Sequence, residues 1–291
     1  MCIETGVKSL DRYSICNCSN LTSINIPESV TYIGIGAFYL CTNLKSIAIP
    51  DSVTKIENIT FTGCSSLTSI SIPESVTYIG LNAFKDCTSL TSIYIPDSVT
   101  LTGLSGTFSG CTSLTNVKLP DVIYIINTNT FAGCSSLLNI IIPDSVTSIK
   151  ECAFEGCKSL TNIAIPESVT KIGTWAFKDC TSLKSIAINN PDCEISNDKD
   201  TIPETAVIYG YKNSTAQTYA ESFNRKFISL EEIGDISGNG EIDLYDAIEI
   251  AKAIMGLRTF TAEEMIIADF NMDGAVDLYD AIEIARTLLP K

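Results

Sequence analysis

Histidine is absent from the 291 residues of this sequence, and lysine and arginine are scarce. Without histidine the chain cannot form serine–histidine or cysteine–histidine nucleophiles, histidine general bases or histidine-ligated zinc. The 19 basic residues stand against 34 acids and give a formal net charge of −15. Because phosphate binding requires clustered lysine and arginine, this balance predicts no nucleic-acid partner.

Long apolar runs are also missing. No stretch reaches the roughly 18 apolar residues that span a bilayer, so we predict no transmembrane segment. The start lacks the charged-then-apolar pattern of a signal peptide, which indicates a mature or truncated N-terminus.

A 23-residue repeat fills the first 190 residues, with one extra residue between Leu90 and Leu114. Each unit has a Leu-x-x-Ile-x-Ile segment that alternates as a strand, and a proline that ends it. Phe84 and Cys87, three residues apart, suit one inward-facing helical turn. A single unit has too little apolar surface to fold alone, so stacked units must share a core. The pattern predicts a mainly β solenoid.

The Leu-x-x-Ile-x-Ile-Pro-x-Ser-Val-Thr and Ala-Phe-x-x-Cys strings resemble the leucine-rich repeats of BspA-like bacterial surface antigens. The resemblance implies a leucine-rich-repeat solenoid shaped as a right-handed horseshoe or arc. We expect this domain over residues 1–230, with a partial first repeat at 1–20, regular repeats at 21–188 and a C-terminal cap at 189–230. Because residues 1–20 match only the second half of a unit, either an unusual cap or missing upstream sequence is indicated.

Eight of the twelve cysteines occupy one register of the repeat. Side chains in such a ladder run parallel to one another, which disfavours disulfides between neighbours. The pattern therefore predicts a buried ladder of thiols that act as small apolar filling. Disulfide formation is open only for four off-register residues, which are Cys2, Cys16, Cys152 and Cys193.

Two oxygen-rich loops occupy residues 235–246 and 269–280, and each ends within the same nonapeptide, found at 243–251 and 277–285. Each loop has oxygen-bearing side chains at positions 1, 3, 5, 9 and 12 and glycine at position 6, the spacing of a calcium loop. Residues 234–291 carry twelve acids and four bases, so more than half of the net charge lies here. The loops predict two calcium ions.

The duplicated loop-then-helix units, with aspartate at position 12, resemble a type I dockerin over residues 234–291. The resemblance implies a small all-α module, placed at 231–291, with two calcium-binding loop–helix (F-hand) units. It implies binding to a cohesin module of a scaffoldin in a cellulosome, and therefore an extracellular, secreted protein attached to a scaffold or cell surface. The ligands that it implies are Asp235, Ser237, Asn239, Glu241, Asp243, Asp246, Asp269, Asn271, Asp273, Ala275, Asp277 and Asp280, with Glu241 and Ala275 acting through their carbonyls. Loop two has one more ligand carboxylate, so we predict tighter calcium binding there.

Dockerins contact cohesins through loop positions 10 and 11 and the exposed face of the following helix. The corresponding residues are Leu244, Tyr245, Ile248, Ala251, Lys252, Met255, Leu278, Tyr279, Ile282, Ala285 and Arg286. Ile248 and Ile282 could equally be core residues, because they continue an apolar helical stripe. Since the two sets are nearly identical, docking in two orientations related by a half-turn is predicted. Between the loops, Thr261 and Glu264 predict a capping box that opens a short helix.

The outward strand positions of the repeats are mostly serine, threonine and alanine. One departure lies on consecutive coils and is the candidate patch for a protein or carbohydrate ligand; it comprises Tyr94, Lys118, Leu138 and Ile141.

An acid follows each repeat proline and gives a column of carboxylates, with neighbours roughly 5 Å apart. That spacing is near the carboxyl separation of retaining glycosidases. Catalysis of this kind needs two unlike environments, whereas the column repeats one environment. The sequence thus favours a non-catalytic cellulosome subunit. The alternative is a polysaccharide-degrading or other enzyme whose catalytic part lies in the solenoid or in missing upstream sequence.

Overall fold

The computed structural model describes residues 2–102, 104–271 and 275–288 and shows a solenoid of short parallel strands followed by three helices. Leucine and isoleucine alternate with polar residues in each repeat, so most strands turn one or two apolar side chains inward. The strands are β1 Ser9–Leu10, β2 Ser23–Ile24, β3 Tyr32–Ile33, β4 Ser46–Ala48, β5 Lys55–Ile56, β6 Ser69–Ser71, β7 Tyr78–Ile79, β8 Ser92–Tyr94, β9 Leu101–Thr102, β10 Asn116–Lys118, β11 Ile125–Ile126, β12 Ser148–Ile149, β13 Asn162–Ile165, β14 Lys171–Ile172, β15 Ser185–Ile188, β16 Glu194–Ile195, β17 Val207–Gly210 and β18 Phe227–Ser229.

The strands form two columns along the solenoid. In one column β2, β4 and β6 pair, then β8 with β10, and then β13, β15, β17 and β18. The other column contains the β1–β3 pair, the β5–β7–β9 sheet and the β11–β12–β14–β16 sheet. Equivalent residues of successive units face each other, as in the pairing of Ser46 with Ser69. The 23-residue step of the sequence is thus the register of the sheets. We call the outer surface of the β2–β18 column the repeat face.

The core is a stack of identical side chains, one from each coil. Seven phenylalanines from Phe38 to Phe177 are fully buried, and neighbouring ring centroids lie 5.3–5.7 Å apart in stacked geometry. Beside them each buried thiol of the ladder donates to a carbonyl of the preceding coil, as Cys64 does to Phe38 O at 3.2 Å. No single coil could bury these groups, so the core exists only in the stack.

Two expectations for the repeats were wrong in detail. The segment that holds Phe84 and Cys87 is a series of turns and not a helical turn. Asn82 and Asp86 have positive φ, and the N–H of Phe84 donates to Thr107 O of the next coil at 3.0 Å. N–H groups of this segment therefore alternate between a carbonyl three residues back, as Cys87 does to Phe84 O at 3.2 Å, and a carbonyl of the next coil. In the sixth coil, residues 139–141 form no strand, although the same register is a strand in both flanking coils.

Four helices occupy the C-terminal third. Helix α1, Thr215–Ser222, lies in the cap beside β17, after Ser214 caps its first turn. Helices α2, Leu244–Ile254, α3, Ala262–Ala268, and α4, Leu278–Thr287, form the last module. In that module α2 packs against α4, with Ile250 and Ile284 fully buried between them. None of the helices in the described residues has the length and apolarity to cross a membrane.

Candidate calcium loops and docking surface

The side chains of the first loop turn toward one another. Asp235 is the centre of the loop, because its carboxylate accepts from Ser237 Oγ at 3.2 Å and from the N–H groups of Asn239 and Gly240 at 3.1 and 2.8 Å. Asn239 Nδ2 donates to Asp243 Oδ2 at 3.3 Å. Gly240, at position 6, has φ +88°, a conformation that side chains disfavour. The predicted ligands of loop one are thus brought together.

Asp246 closes the first loop from the start of α2 and is fully buried. Its two carboxylate oxygens accept from the N–H of Ser237 at 2.9 Å and from the N–H of Asp243 at 2.8 Å. A buried carboxylate needs such partners, and here they tie the end of the loop to its beginning. The predicted carbonyl ligand belongs to Glu241, whose N–H donates to Asn239 Oδ1 at 2.7 Å.

The second loop repeats this arrangement where the structure describes it. Asp280 is fully buried and accepts from the N–H of Asn271 at 3.1 Å and from the N–H of Asp277 at 2.8 Å. Asp269 ends α3, and Ala275 lies on the exposed side of the loop. The predicted ligand Asp273 and the glycine at position 6 lie outside the described residues.

The donor set suits a hard cation. Loop one offers three carboxylates, a hydroxyl, an amide oxygen and a carbonyl, the mixed oxygen set that calcium takes. Among the described residues no group of three or more acid, cysteine or histidine side chains could hold a metal on its own. The predicted ligands Ser237, Asn239 and the Glu241 carbonyl would add to the three carboxylates of loop one. They fit calcium, whose charge would offset the repulsion among the loop carboxylates.

Helices α2 and α4 begin identically. Asp243 and Asp277 are the N-caps, and each forms a capping box with the buried aspartate three residues later. The cap side chain accepts from the N–H of Tyr245 or Tyr279, in both cases at 2.7 Å. A single aspartate thus ends the loop and starts the helix that follows.

The predicted cohesin-contact residues run along α2 and α4 from the first residue of each helix. Leu244, Tyr245, Leu278 and Tyr279 are each 55–66% exposed. Ile248 and Met255 are also exposed, whereas Ile282 is half-buried. Of the others, Arg286 is exposed, and Ala251, Lys252 and Ala285 are half-buried. Ile248 is therefore not a core residue, whereas Ile282 is partly buried and lies at the edge of the core.

A charged cluster behind α2 was not found from the sequence. Glu249 bonds Lys252 Nζ at 2.6 Å and also pairs with Arg258, which reaches Glu264 at 2.6 Å. Hydrogen bonds from Lys252 and Arg258 lower the pKa of Glu249, and hydrogen bonds from Thr261 and Arg258 lower that of Glu264. Thr261 and Glu264 form the predicted capping box of α3. The i,i+3 spacing of Glu249 and Lys252 was visible in the sequence, but the arrival of Arg258 depends on the fold.

The four residues of the candidate patch share one region of the repeat face. Lys118 Nζ lies 5.5 Å from the centre of the Tyr94 ring and 3.9 Å from Asp97. Ile141 is 86% exposed, and Leu138 is also exposed. Lys118 and Ile141 line one groove beside the interrupted sixth strand.

The cysteines and the column of acids follow the simpler expectation. All twelve cysteines are free, and nine of them are buried. Seven of the eight ladder cysteines are buried as predicted, but Cys18, in the first and incomplete unit, is exposed. The other two buried cysteines are the off-register Cys152 and Cys193. Burial raises the pKa of Cys64 to about 12 and that of Cys41 to about 11. The seven acids that follow the repeat prolines are all exposed. They offer one solvated environment and not the two unlike environments that paired-carboxylate catalysis needs.

The sequence did not indicate that the C-terminal end of the repeat face is buried. Tyr209 and Ala187, both outward-facing, are buried against Ile233, and Phe270 packs on the same cluster. Burial raises the pKa of Tyr209 to about 12, and the nearby charge of Asp269 adds to the effect. No local pattern marks such a contact, because Phe270 lies 61 residues after Tyr209 in the chain.

Comparison with known proteins agrees with both modules. Residues 1–105 and 104–199 match the BspA type leucine-rich repeat region, and residues 233–289 match the type I dockerin domain. No curated protein matches the chain.

The solved structures that match this chain include three leucine-rich repeat or leucine-rich proteins. A leucine-rich repeat protein from Bacteroides ovatus ATCC 8483 is 30% identical with a TM-score of 0.60, covering 77% of this chain and 66% of its own. This chain thus spans slightly less than two thirds of that relative. The T. pallidum leucine-rich repeat protein is 28% identical with a TM-score of 0.48, covering 62% of this chain and 74% of its own. A leucine-rich cell surface protein from Faecalibacterium prausnitzii A2-165 is 25% identical with a TM-score of 0.34, covering 67% of this chain and 84% of its own.

These module types have known general properties. Leucine-rich repeats and dockerins are non-catalytic modules, and type I dockerins in general bind calcium and cohesins. Proteins with these modules are typically extracellular or on the cell surface. With the repeat register, the paired loops and the two matches together, the chain belongs to the BspA type leucine-rich repeat family and carries a C-terminal type I dockerin domain.

Proposed function

We propose that this protein is a secreted, non-catalytic subunit of a polysaccharide-degrading complex, a cellulosome, attached through a scaffoldin cohesin. The observation that carries the proposal is the pair of identically capped helices. Each presents an exposed Leu-Tyr pair while the loop oxygens before it turn inward. Exposed tyrosine side chains on rigid helix ends suit a protein interface, because interface hot spots are enriched in tyrosine.

Calcium has a structural role in this proposal. One ion would be held by the six predicted ligands of loop one and another by those of loop two. Without the ions, the loop carboxylates repel one another at the N-termini of α2 and α4. Removal of calcium would therefore loosen the N-termini of α2 and α4, which present the two Leu-Tyr pairs.

The repeat domain, residues 1–230, would present a binding or adhesive surface, and residues 231–291 would attach it. The candidate patch supports the first role, because Ile141 and Leu138 expose large apolar side chains beside the Tyr94–Lys118 contact. A mixed aromatic, cationic and aliphatic patch suits a protein or carbohydrate ligand.

The test of attachment is calorimetric titration of the intact chain with a panel of type I cohesins, first in calcium and then in chelator. We expect a Kd around nanomolar in calcium, about −12 kcal/mol, and no binding in chelator. The variant Leu244→Asp/Leu278→Asp should lose binding. The matched control Leu257→Asp alters a leucine that is 73% exposed but lies outside the predicted contacts, and it should bind normally. Absence of binding to every cohesin in calcium would refute the proposal.

The patch is tested separately, by affinity electrophoresis against soluble polysaccharides and by pull-down with surface proteins. Any ligand so found should bind Tyr94→Ala/Ile141→Ser at least about tenfold more weakly, a loss of about 1.4 kcal/mol. The control is Ser71→Ala, in the same register on an unremarkable coil. Unchanged affinity of the double variant would remove the patch from consideration.

A further inference from the structure

One column of outward positions on the repeat face changes its burial abruptly. The residues in register along it are Ala48, Ser71, Tyr94, Lys118, Ile141, Ala164, Ala187, Tyr209 and Ile228. The first six are exposed, whereas Ala187, Tyr209 and Ile228 are only 5–6% exposed. Tyr94 and Tyr209 are both tyrosines in the same register position, but Tyr209 is buried whereas Tyr94 is exposed. Solenoid geometry alone cannot cause this difference.

Two of the covering residues belong to the dockerin, and a third, Leu230, is the last residue of the cap. Ile233, which is buried, packs with Ala187, Tyr209 and Ile228. Phe270 packs on the same cluster and also on the dockerin core around Ile250 and Ile284. One aromatic ring therefore joins the two hydrophobic clusters.

The connection between the modules is short and bonded. Glu232 N–H donates to Ser229 O at 3.0 Å, directly after β18, and Gly234 N–H donates to Ile267 O at 2.8 Å. Gly234 has φ +92°, and a Cβ there would lie 2.6 Å from the Phe270 ring. Glycine is thus required where the chain passes under that ring. No flexible, fully exposed tether separates β18 from the dockerin.

The contact extends along the face beyond the apolar cluster. Met265, Asp269 and Val276 of the dockerin face Lys184 and Val207 across a cleft of about 250 Å³. Asn271 lines the groove that contains Ala164 and Ala187, at the boundary between the exposed and covered coils. The dockerin uses its α3 and second-loop side for this contact and leaves both Leu-Tyr pairs exposed.

We propose that the C-terminal end of the repeat face, centred on Ala187 and Tyr209, is a docking site for the dockerin of the same chain. The two modules form one rigid body in solution, with the cohesin-contact residues directed away from the repeats. The free part of the repeat face then ends at Ala164. This inference goes beyond the proposed function, because it holds whether or not a cohesin binds.

The experiment compares Ala187→Glu with Ala164→Glu in the full chain in calcium. Both replace an outward-facing alanine in neighbouring strands, so neither alters the core. Small-angle X-ray scattering should give the same compact particle for the wild type and Ala164→Glu. Ala187→Glu should give a larger maximum dimension and the profile of two tethered bodies. In hydrogen exchange, the Gly234 amide should exchange about tenfold faster or more in Ala187→Glu only.

Tyr209→Ser serves as a second variant should Ala187→Glu fail to fold, and the same two changes are expected for it. The inference is overturned if the wild type already scatters as two tethered bodies. It is also overturned if the interface variants match Ala164→Glu in both measurements. Cohesin titration of the wild type separates the two claims, because failure to bind refutes the attachment function while leaving the scattering result intact.

Discussion

Cys64 shows how the smallest unit of this fold is stabilised. Its thiol is fully buried, donates to Phe38 O of the preceding coil at 3.2 Å, and has a pKa raised to about 12 by burial. A thiol of this kind packs as a small apolar group and donates its one hydrogen bond to a carbonyl. The same bond recurs up the ladder to Cys180, which donates to Phe154 O at 3.1 Å.

Alkaline pH should therefore destabilise the repeat domain. A thiol whose pKa is about 9 unfolded and about 12 folded stabilises the fold fully below pH 9, and this contribution is lost as the pH rises toward 12. We expect urea midpoints to fall between pH 9 and pH 11 under reducing conditions. Cys64→Ala should lessen the slope, whereas Cys2→Ala, at an exposed site, should leave it unchanged. A midpoint independent of pH over this range would contradict the prediction.

At the level of single residues, periodicity predicted burial well. The inward leucines, isoleucines and phenylalanines were identifiable because each repeats in register. Burial of Cys152 was not predictable, since it stands outside that register. Ala187 was predicted to face outward, which is correct, but its covering by the dockerin depends on a contact that no local pattern encodes.

Among the elements, the phenylalanine stack joins successive coils through contacts between their buried rings. Phe108 lies between Phe84 and Phe131, at centroid distances of 5.7 and 5.5 Å. Each such pair adds about 0.5–1.5 kcal/mol beyond the burial of its area. A break in the middle of the stack therefore affects two interfaces at once.

Phe108→Ala should destabilise the repeat domain by about 3–5 kcal/mol, because it leaves a cavity and removes both stacking partners. Phe108→Leu fills most of the space and should cost less. The measurement is chemical unfolding followed by far-ultraviolet circular dichroism. Equal losses for the two variants would show that stacking and volume do not govern this site.

The two predicted calcium loops are nearly the same element, and they differ at two of the side-chain ligand positions. Loop one has Ser237 where loop two has Asn271, and Asn239 where loop two has Asp273. The additional carboxylate should strengthen calcium binding at loop two.

Single-loop variants test this difference. Asp246→Ala leaves loop two as the intact site, and Asp280→Ala leaves loop one. Isothermal calorimetry should give a lower Kd for calcium in Asp246→Ala than in Asp280→Ala. Equal affinities would contradict the ligand count as the controlling factor.

Element types followed from the sequence because each has a local cause. The Thr261 capping box and the alternating strands were predicted, whereas Asp243 and Asp277 were predicted only as calcium ligands and not as N-caps. The Phe–Cys segment was not predicted correctly, because alternate N–H groups bond to the next coil and its turns depend on positive φ at Asn82 and Asp86. The gap in the sixth strand has no counterpart in the sequence pattern, and we have no physical account of it.

For the whole molecule, the near-identity of the two recognition pairs predicts two modes of attachment. Both pairs remain exposed, so a cohesin can engage either one at its principal site.

Leu244→Ala/Tyr245→Ala should consequently reduce cohesin affinity by less than about tenfold, as should Leu278→Ala/Tyr279→Ala. Combining all four changes should abolish binding, because neither orientation then has an intact pair. Surface plasmon resonance with one immobilised cohesin is sufficient. If either pair alone abolished binding, a single orientation would be established.

Fold class, repeat register and both modules were predictable because the sequence has a regular 23-residue repeat and two loops with the ligand spacing of a calcium site. The arrangement of the modules was not. It rests on Phe270, Ile233 and Tyr209, which meet only after the repeats and the dockerin have each folded.

The bonding of the coils has a consequence for the history of this protein. Each coil bonds only to its neighbours and in the same register, so a whole 23-residue unit can be gained or lost without breaking the pattern. In the described part of the dockerin, the apolar contacts with the repeats lie on the last coils. Gene duplication within the array would therefore lengthen the repeat face without altering its contact with the dockerin. We expect natural variants to differ in copy number upstream of Ala164 and to keep the last coils unchanged.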